Sequence, residues 1–588
     1  MIIRTKHYSV ILIMIAFLFS GISLFAQSNY SWHEPNYVEG ICVRDTNHIY
    51  YRLPANMESE VRKPVWYLSK NTAGEFLHFK TTAREITVRY VLEDNLNPFP
   101  HMPEMGVSGV DLFAMDMNGN WNWAPPHYHF GDTCVFQYTH LYLADNHKPA
   151  DFYLYLPLYN TVKWLSIGVP NQDKLEFVRE NKGNPIVAYG TSILQGGVAS
   201  RAGLAWTNIL ERRLDRTVIN LGFSGNGRFE KPIFDLMAKT DAALYILDCM
   251  PNLDNEKIYP DSLIKTRVYY GIKTLQEHHP ETPILLVEHS VGYSPFYMDT
   301  ARLNQYHRAS MVIAGIYNDL KTDGFKNIYL LTDKEIGFDI NSTTEGLHSD
   351  DIGMIQYANA YEKIIRQILH EPKGDMATEI PIEQYRDGYD WVKRHDEVME
   401  NIKKTNPDAI ILGNSIINYW GGEPAAESGI ARGDNSWNKY LAPVKVQNAG
   451  FGWDRIENVL WRVYHGELDN FRGKKILIMI GTNNLGINSN EDIVNGLQFL
   501  LEQIHQKKPD AEIIMAGILP RRGAEKQVET INRQIKNMTL RNHFTYVDFG
   551  KPLTKDGKIN PALFVSDGLH PDGKGYEVLG KEISHILK

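Results

Sequence analysis

The 588-residue sequence has only three cysteines, Cys42, Cys134 and Cys249. That is too few for a disulfide framework. Cys42 and Cys134 can pair if the N-terminal part of the chain brings them together; the alternative is a buried apolar thiol. There is no excess of basic charge either: 61 Lys and Arg against 70 Asp and Glu leave a net charge of −9. With no basic stripe available for phosphates, a nucleic-acid partner is excluded, and a short basic cluster such as 401–404 reads as a solvated helix face. No low-complexity tract and no GxxxxGK[ST] phosphate loop occur. Beyond the N-terminus no apolar run is long enough to span a bilayer. His101, His127, His129 and His140 are scattered without ligand spacing, so neither a metal nor a cofactor is expected.

The N-terminus is where a long apolar run does occur. Arg4 and Lys6 precede an apolar stretch over 10–19, and Ala26 stands before Gln27. This is the pattern of a cleavable export signal over 1–26, with delivery to the periplasm or the exterior. Leu24 is bulkier than that site prefers, which leaves an uncleaved anchor as the alternative. No cysteine follows the cut, which argues against lipid modification.

From 27 to 182 the chain reads as short β-runs between Gly, Pro and Asn turns, such as "REITVRYVL" and "DFYLYLPLY"; a β-sandwich is expected. Trp121 and Trp123 are either a sugar-stacking platform or packing under a turn. After Pro185 the texture changes. Apolar runs at 186–189, 243–247, 284–287 and 328–331 alternate with amphipathic stretches, as parallel strands covered on both faces do. The same texture returns at 409–412, 476–480, 513–516 and 544–547. The expected organisation is therefore a sandwich over 27–182, α/β units over 183–370 and 385–588, and a polar linker over 371–384, leading into a helix within "YDWVKRHDEVMENIKKTNP". At 43% hydrophobic residues, each unit has enough apolar surface for a core of its own.

Four stations occur twice in the same order. The first series is Ser192 in "YGTSI", Gly222 in "NLGFSGNG", Asn252 in "DCMPN" and His348 in "TEGLHSDDIG". The second is Ser415 in "LGNSI", Gly450 in "NAGFGWD", Asn483 in "GTNN" and His570 in "SDGLHPDGKGY". Serine and histidine are 156 positions apart in one series and 155 in the other. One such series is compatible with chance; two in register indicate an internal duplication. Each serine closely follows an apolar strand and a glycine, at the sheet edge where parallel α/β folds bind ligands. A serine hydroxyl needs a base in reach to become a nucleophile, and a carboxylate beside that base holds its charged form. Asp567 stands three positions before His570, and Glu345 three before His348. Ester attack develops an oxyanion that needs donors already in place. The backbone N–H groups of the serine and of Gly222 or Gly450, with the Asn252 or Asn483 amide, are the candidates. Taken singly, each residue has a structural reading: a serine after a strand caps a helix, and a glycine makes a turn.

These blocks resemble the SGNH (GDSL-like) hydrolase superfamily. Through "VLWRVYHGELDN", "IMIGTNN" and "GILPRR" the second unit is similar to the α subunits of platelet-activating-factor acetylhydrolase. The N-terminal part, with "GVSGVDLF", resembles bacterial proteins that join a β-sandwich to such a hydrolase. The resemblance implies two flavodoxin-like three-layer α/β domains with parallel sheets behind a β-sandwich, metal-free ester hydrolysis and a Ser–His–acid triad. The chain departs from the family where its "GDS" becomes "GTS" at Thr191 and "GNS" at Asn414, and where the first acid is Glu345. No G-x-S-x-G elbow sits at either serine, which disfavours the α/β-hydrolase fold. The expectation is an exported serine esterase acting on short acyl, above all O-acetyl, esters of a polysaccharide or glycan. The alternatives are a lysophospholipase or thioesterase, and a single active unit with the first serving as a carbohydrate-binding or scaffolding module.

Overall fold

The computed structural model describes residues 29–94, 99–116, 118–141, 149–180, 182–292, 297–384 and 388–588. The expected export signal, and position 385 at which the second α/β unit was expected to begin, lie outside the described residues. No described helix is long and apolar enough to cross a membrane.

The N-terminal region is antiparallel throughout. One five-stranded sheet runs in the order Tyr30–His33, Val162–Pro170, Ile86–Leu92, Cys134–Tyr138 and His127–His129. The other runs Leu175–Phe177, Phe76–Thr81, Ala150–Tyr155, Asp111–Met115 and Trp121–Ala124. Side chains along a strand alternate between faces, and the alternation divides the second sheet's residues between two cores. Leu77, Phe79, Phe152 and Leu154 meet Val88, Tyr90 and Phe136 of the first sheet. Phe76, Phe113, Tyr153 and Tyr155 point the other way, into the core of the first α/β unit. The sandwich is therefore packed onto its neighbour. Cys42 and Cys134 are both free.

The first α/β unit contains strands β1 (Ile186–Gly190), β2 (Val218–Gly222), β3 (Leu244–Asp248), β4 (Ile284–Val287) and β5 (Ile328–Leu331). All pair in parallel, in the order β2-β1-β3-β4-β5. The second repeats this with β6 (Ala409–Gly413), β7 (Val446–Gly450), β8 (Lys475–Met479), β9 (Glu512–Ala516) and β10 (Thr545–Val547), in the order β7-β6-β8-β9-β10. Helices cover both faces. In the first unit Trp206–Leu214 and Asp351–Ile368 lie on one side, and Lys231–Met237, Asp261–His278 and Thr300–Thr322 on the other. This is the three-layer flavodoxin-like arrangement, whose strand order reverses beside the first strand and opens a crevice at the carboxyl ends there. The apolar runs sit on β1, β3–β6 and β8–β10. The edge strands β2 and β7 do not follow that pattern: β7 reads VQNAG, and its buried Gln447 and Asn448 are polar residues satisfied by hydrogen bonds.

Segment 371–384 is not a solvated tether. Thr378 is buried and its hydroxyl donates to the Asp492 carbonyl at 2.9 Å, and Glu383 and Gln384 are buried as well. All three layers of organisation meet around Asp215, which ends the helix Trp206–Leu214 in a left-handed turn (φ 48°). Its Oδ1 accepts from Lys182 Nζ at 2.7 Å and its Oδ2 from Trp461 Nε1 of the second unit at 2.7 Å. Lys182 also donates to Tyr153 of the sandwich at 2.9 Å and lies 3.8 Å from Glu383 of segment 371–384, a strap between the two α/β units. Leaving a buried carboxylate oxygen without its donor costs about 1–3 kcal/mol. Trp461→Phe is therefore expected to lower the midpoint of thermal unfolding measurably. Neutralising the exposed Lys393–Glu397 pair is expected to shift it little, because exposed pairs contribute roughly 0–1 kcal/mol. Equal effects would contradict the junction's role.

Candidate active site

The switch-point crevice is where each serine emerges. Gly190 ends β1, and Ser192 opens the four-residue helix Ser192–Gln195; Gly413 and Ser415 do the same ahead of Ser415–Asn418. The residues that depart from the family pattern serve as caps. Thr191 Oγ1 accepts from the Ile193 N–H at 3.3 Å and Asn414 Oδ1 from the Ile416 N–H at 3.0 Å. Thr, Asn and Asp all perform this task, so the loss of the Asp leaves the serine's helix properly started.

In the first unit Ser192 Oγ lies 2.8 Å from His348 Nε2. His348 Nδ1 pairs with Glu345 Oε1, and the His348 N–H donates to Glu345 Oε2 at 3.1 Å. In the second, His570 Nε2 lies 2.8 Å from Ser415 Oγ and Nδ1 lies 2.7 Å from Asp567 Oδ2. The Leu569 and His570 N–H groups donate to Asp567 Oδ1 at 2.8 and 2.9 Å. The longer Glu345 thus reaches its imidazole as Asp567 does. Burial pushes both carboxyls up, but the hydrogen bonds and the neighbouring histidine outweigh it: Glu345 is drawn down to about 2 and Asp567 falls below its ordinary value. A carboxylate that stays ionised holds Nδ1–H and leaves Nε2 as the acceptor facing the hydroxyl. Burial lowers the pKa of His570, and the nearby Arg432 and Arg521 add to the effect against the pull of Asp567.

Gly222 and Gly450 require a correction. Their N–H groups are not free for an oxyanion, because they donate at 2.9 Å to Asn220 Oδ1 and Asn448 Oδ1. Their contribution is proximity. A Cβ on Gly222 would stand 2.3 Å from the Gln195 nitrogen, and one on Gly450 2.3 Å from the Asn418 nitrogen. The two asparagines complete a clamp: Asn220 Nδ2 donates to the Leu194 carbonyl at 2.7 Å and Asn448 Nδ2 to the Ile417 carbonyl at 2.8 Å. Each clamp is closed from behind by a buried arginine. Arg52 Nη1 donates to the Gly222 carbonyl at 2.7 Å, and Arg394 Nε to the Gly450 carbonyl at 2.8 Å. Both asparagines were visible in "NLG" and "NAG"; the arginines carry no local signal.

The donors that remain are the serine N–H at the start of its helix and the amides of Asn252 and Asn483. Asn252 Oδ1 accepts from the Gly227 N–H at 3.1 Å, so its oxygen is occupied and its NH₂ faces elsewhere. Asn483 Nδ2 donates to the Asp454 carbonyl at 2.9 Å, which engages one of its two amide protons. Three residues beyond the clamped glycine both loops turn left-handed, at Gly225 (φ 67°) and Trp453 (φ 62°). Tyr159 of the sandwich donates to the Ser192 carbonyl at 3.0 Å. His101, also of the sandwich, sets its ring 5.5 Å from that of His348; the second site has Tyr419 at 5.5 Å from His570. The two tryptophans differ: Trp121 Nε1 donates to the Arg212 carbonyl and its ring packs edge-on against Tyr153, while Trp123 donates to Asp111 and has Arg201 over one face but stays 45% exposed.

Comparison with known proteins agrees with this geometry. The GDSL-like lipase/acylhydrolase family matches twice, over residues 183–366 and 411–578. Both α/β units belong to that family of acylhydrolases. The N-terminus of SGNH-hydrolase-type esterases matches residues 28–175. A Bacteroides ovatus protein described as a GDSL-like lipase is 28% identical with a TM-score of 0.53, covering 58% of this chain and 98% of that one. The human platelet-activating factor acetylhydrolase IB subunit alpha2 is 26% identical over 203 residues, which is 34% of this chain and 83% of the relative. The human alpha1 subunit is 24% identical over 214 residues, 87% of its length.

Two outcomes follow for the GDSL-like units. Asn448→Ala removes the acceptor for Gly450 and the donor to Ile417, and is expected to reduce kcat at the second site by roughly 10-fold or more through misplacement of Ser415. Activity equal to the parent in a Ser192→Ala background would contradict the clamp. In that background the acid limb of kcat/KM is expected below 6.5, the ordinary imidazole value. The base form of His570 is required, and a lowered pKa keeps it neutral to lower pH. A limb at or above that value would contradict the assigned environment.

Proposed function

We propose that the protein is an exported serine esterase that removes short acyl groups, O-acetyl above all, from a polysaccharide or glycan, and that both sites are active. The observation that carries this reading is the unbroken relay of hydroxyl, imidazole and carboxylate, with Oγ–Nε2 distances of 2.8 Å in both units.

The serine Oγ attacks the ester carbonyl while its proton passes to the histidine Nε2. The carboxylate, Asp567 or Glu345, stabilises the imidazolium. The serine N–H and the Asn483 or Asn252 amide take the charge that develops on the carbonyl oxygen; each such donor typically contributes about 10²–10³ in rate. The histidine returns the proton to the departing alcohol, and a water activated by the same base releases the acid. The short acyl preference is supported by the acetylhydrolase relatives, and export by the N-terminal pattern. The glycan portion rests on that compartment; of Trp121 and Trp123 only Trp123 is exposed. Thr191 caps the Ser192 helix and Glu345 engages His348, which favours an active first unit over a carbohydrate-binding or scaffolding one.

Hydrolysis of p-nitrophenyl acetate and longer acyl esters tests the reading. Ser192→Ala and Ser415→Ala are each expected to retain part of the activity, and the double variant to lose it by a factor on the order of 10³ or more. Undiminished turnover in the double variant would end the esterase reading. Rates that climb with acyl length would favour the lysophospholipase or thioesterase alternative.

A further inference from the structure

Three arginines surround the second site, Arg432 on one loop and the adjacent Arg521 and Arg522 on another. Arg432 donates its backbone N–H to the Tyr419 carbonyl at 2.8 Å and lays its guanidinium over the Tyr419 ring at 5.2 Å. That ring is the one set 5.5 Å from His570. Arg521 Nη1 donates to the carbonyl of Thr482, the neighbour of Asn483, at 3.1 Å. Arg522 Nη1 donates to the Ser566 carbonyl at 2.8 Å, and its N–H donates to the Gly568 carbonyl at 2.9 Å, on the loop that carries Asp567 and His570.

None of the three has an ion-pair partner among the described residues. Their side-chain hydrogen bonds go to neutral carbonyls, and Arg432 Nη1 is buried with no hydrogen-bond partner at all. An arginine fork left without an oxyanion partner forgoes the strongest hydrogen bonds it can make, so its retention asks for a reason. The carboxylates on the same loops are committed elsewhere: Asp567 to His570, and Asp572 to the Lys574 and Gly575 N–H groups as the cap of the last helix. The first site is built differently. There the ring beside the histidine is His101, supplied by the sandwich. Arg302, which reaches the Glu345 carbonyl, has Asp299 within 3.8 Å.

We propose that the C-terminal site takes acyl esters whose alcohol portion carries an anionic group, a carboxylate or a phosphate, and that Arg432, supported by Arg521 and Arg522, binds that group. This rests on the esterase reading of Ser415. The side of the ester is set by the chemistry. His570 delivers the proton from Ser415 to the leaving oxygen, so the alcohol departs past His570, and Tyr419 with its guanidinium cover lies on that side. An arginine fork suits a planar or tetrahedral oxyanion held by paired N–H donors.

The test uses the full-length Ser192→Ala protein, in which Ser415 is the remaining nucleophile, with phenyl acetate, 4-acetoxybenzoate and 4-acetoxyphenyl phosphate. At least one anionic ester is expected to have a KM about tenfold below that of phenyl acetate, an advantage that shrinks as salt is raised. Which of the two is preferred distinguishes a carboxylate from a phosphate. Arg432→Gln is expected to reduce the ratio of kcat/KM for that ester over phenyl acetate by roughly 10-fold, with partial recovery in Arg432→Lys. If Arg432→Gln does not fold, the exposed Arg522→Gln and the salt dependence of the parent give the same readout. A protein that hydrolyses phenyl acetate with no preference for either anion, or a ratio unmoved by the substitutions, overturns the proposal alone. Failure to hydrolyse phenyl acetate would overturn the esterase reading beneath it.

Discussion

A hydrogen bond between a hydroxyl and an imidazole some 155 positions apart in the chain is what everything else here is arranged to hold. Such a bond contributes about 1 kcal/mol net, far too little to order two loops against their own conformational entropy, which is about 1–2 kcal/mol for every residue fixed. The order must therefore come from elsewhere. It comes from a parallel sheet buried on both faces, whose register aligns Gly190 with Gly222 and Asp248 in one unit and Gly413 with Gly450 and Met479 in the other. The serine leaves one strand end and the asparagine-bearing loop the next. An Asn–Gly–Arg clamp then prevents the first helical turn from drifting against the neighbouring strand.

The sandwich and the strap belong to that same arrangement. Arg52 comes from the sandwich side of the chain and holds the Gly222 carbonyl, a task performed in the second unit by Arg394 from its own first helix. Asp111, in the GxDL motif, accepts from the Gly203 N–H at 2.8 Å and pairs with Arg201, just beyond the Ser192 helix. The first site is thus braced by a separate module, while the second is held by its own unit and by Gln384 of segment 371–384, which donates to the Gly452 carbonyl at 2.7 Å. A buried lysine–aspartate contact at Lys182 and Asp215 then ties sandwich, strap and both GDSL-like units into one junction.

The sequence was most legible where burial is two-sided and chemistry is repeated. The runs at 284–287 and 328–331 coincide with β4 and β5 because a strand in a sheet covered by helices on both faces is most readily satisfied by apolar residues. The serine, histidine and acid stations were visible because they recur in order. β7 was not visible as a strand, since Gln447 and Asn448 are buried polar residues whose partners lie far away in the chain. The same blindness assigned the Gly222 and Gly450 N–H groups to an oxyanion: nothing local announces that the asparagine two positions earlier already occupies them. Arg52 and Arg394 act across 170 and 56 residues, and no local motif records such a reach.

Duplication has given the chain two relays of the same geometry in different surroundings, one walled by a sandwich and one ringed by arginines. The claim that both serines are activated is tested most directly by treating the intact protein with a fluorophosphonate and mapping the adducts by mass spectrometry. Two adducts per chain, one on Ser192 and one on Ser415, are the predicted result. Modification of neither serine, of one alone, or of serines elsewhere would contradict it.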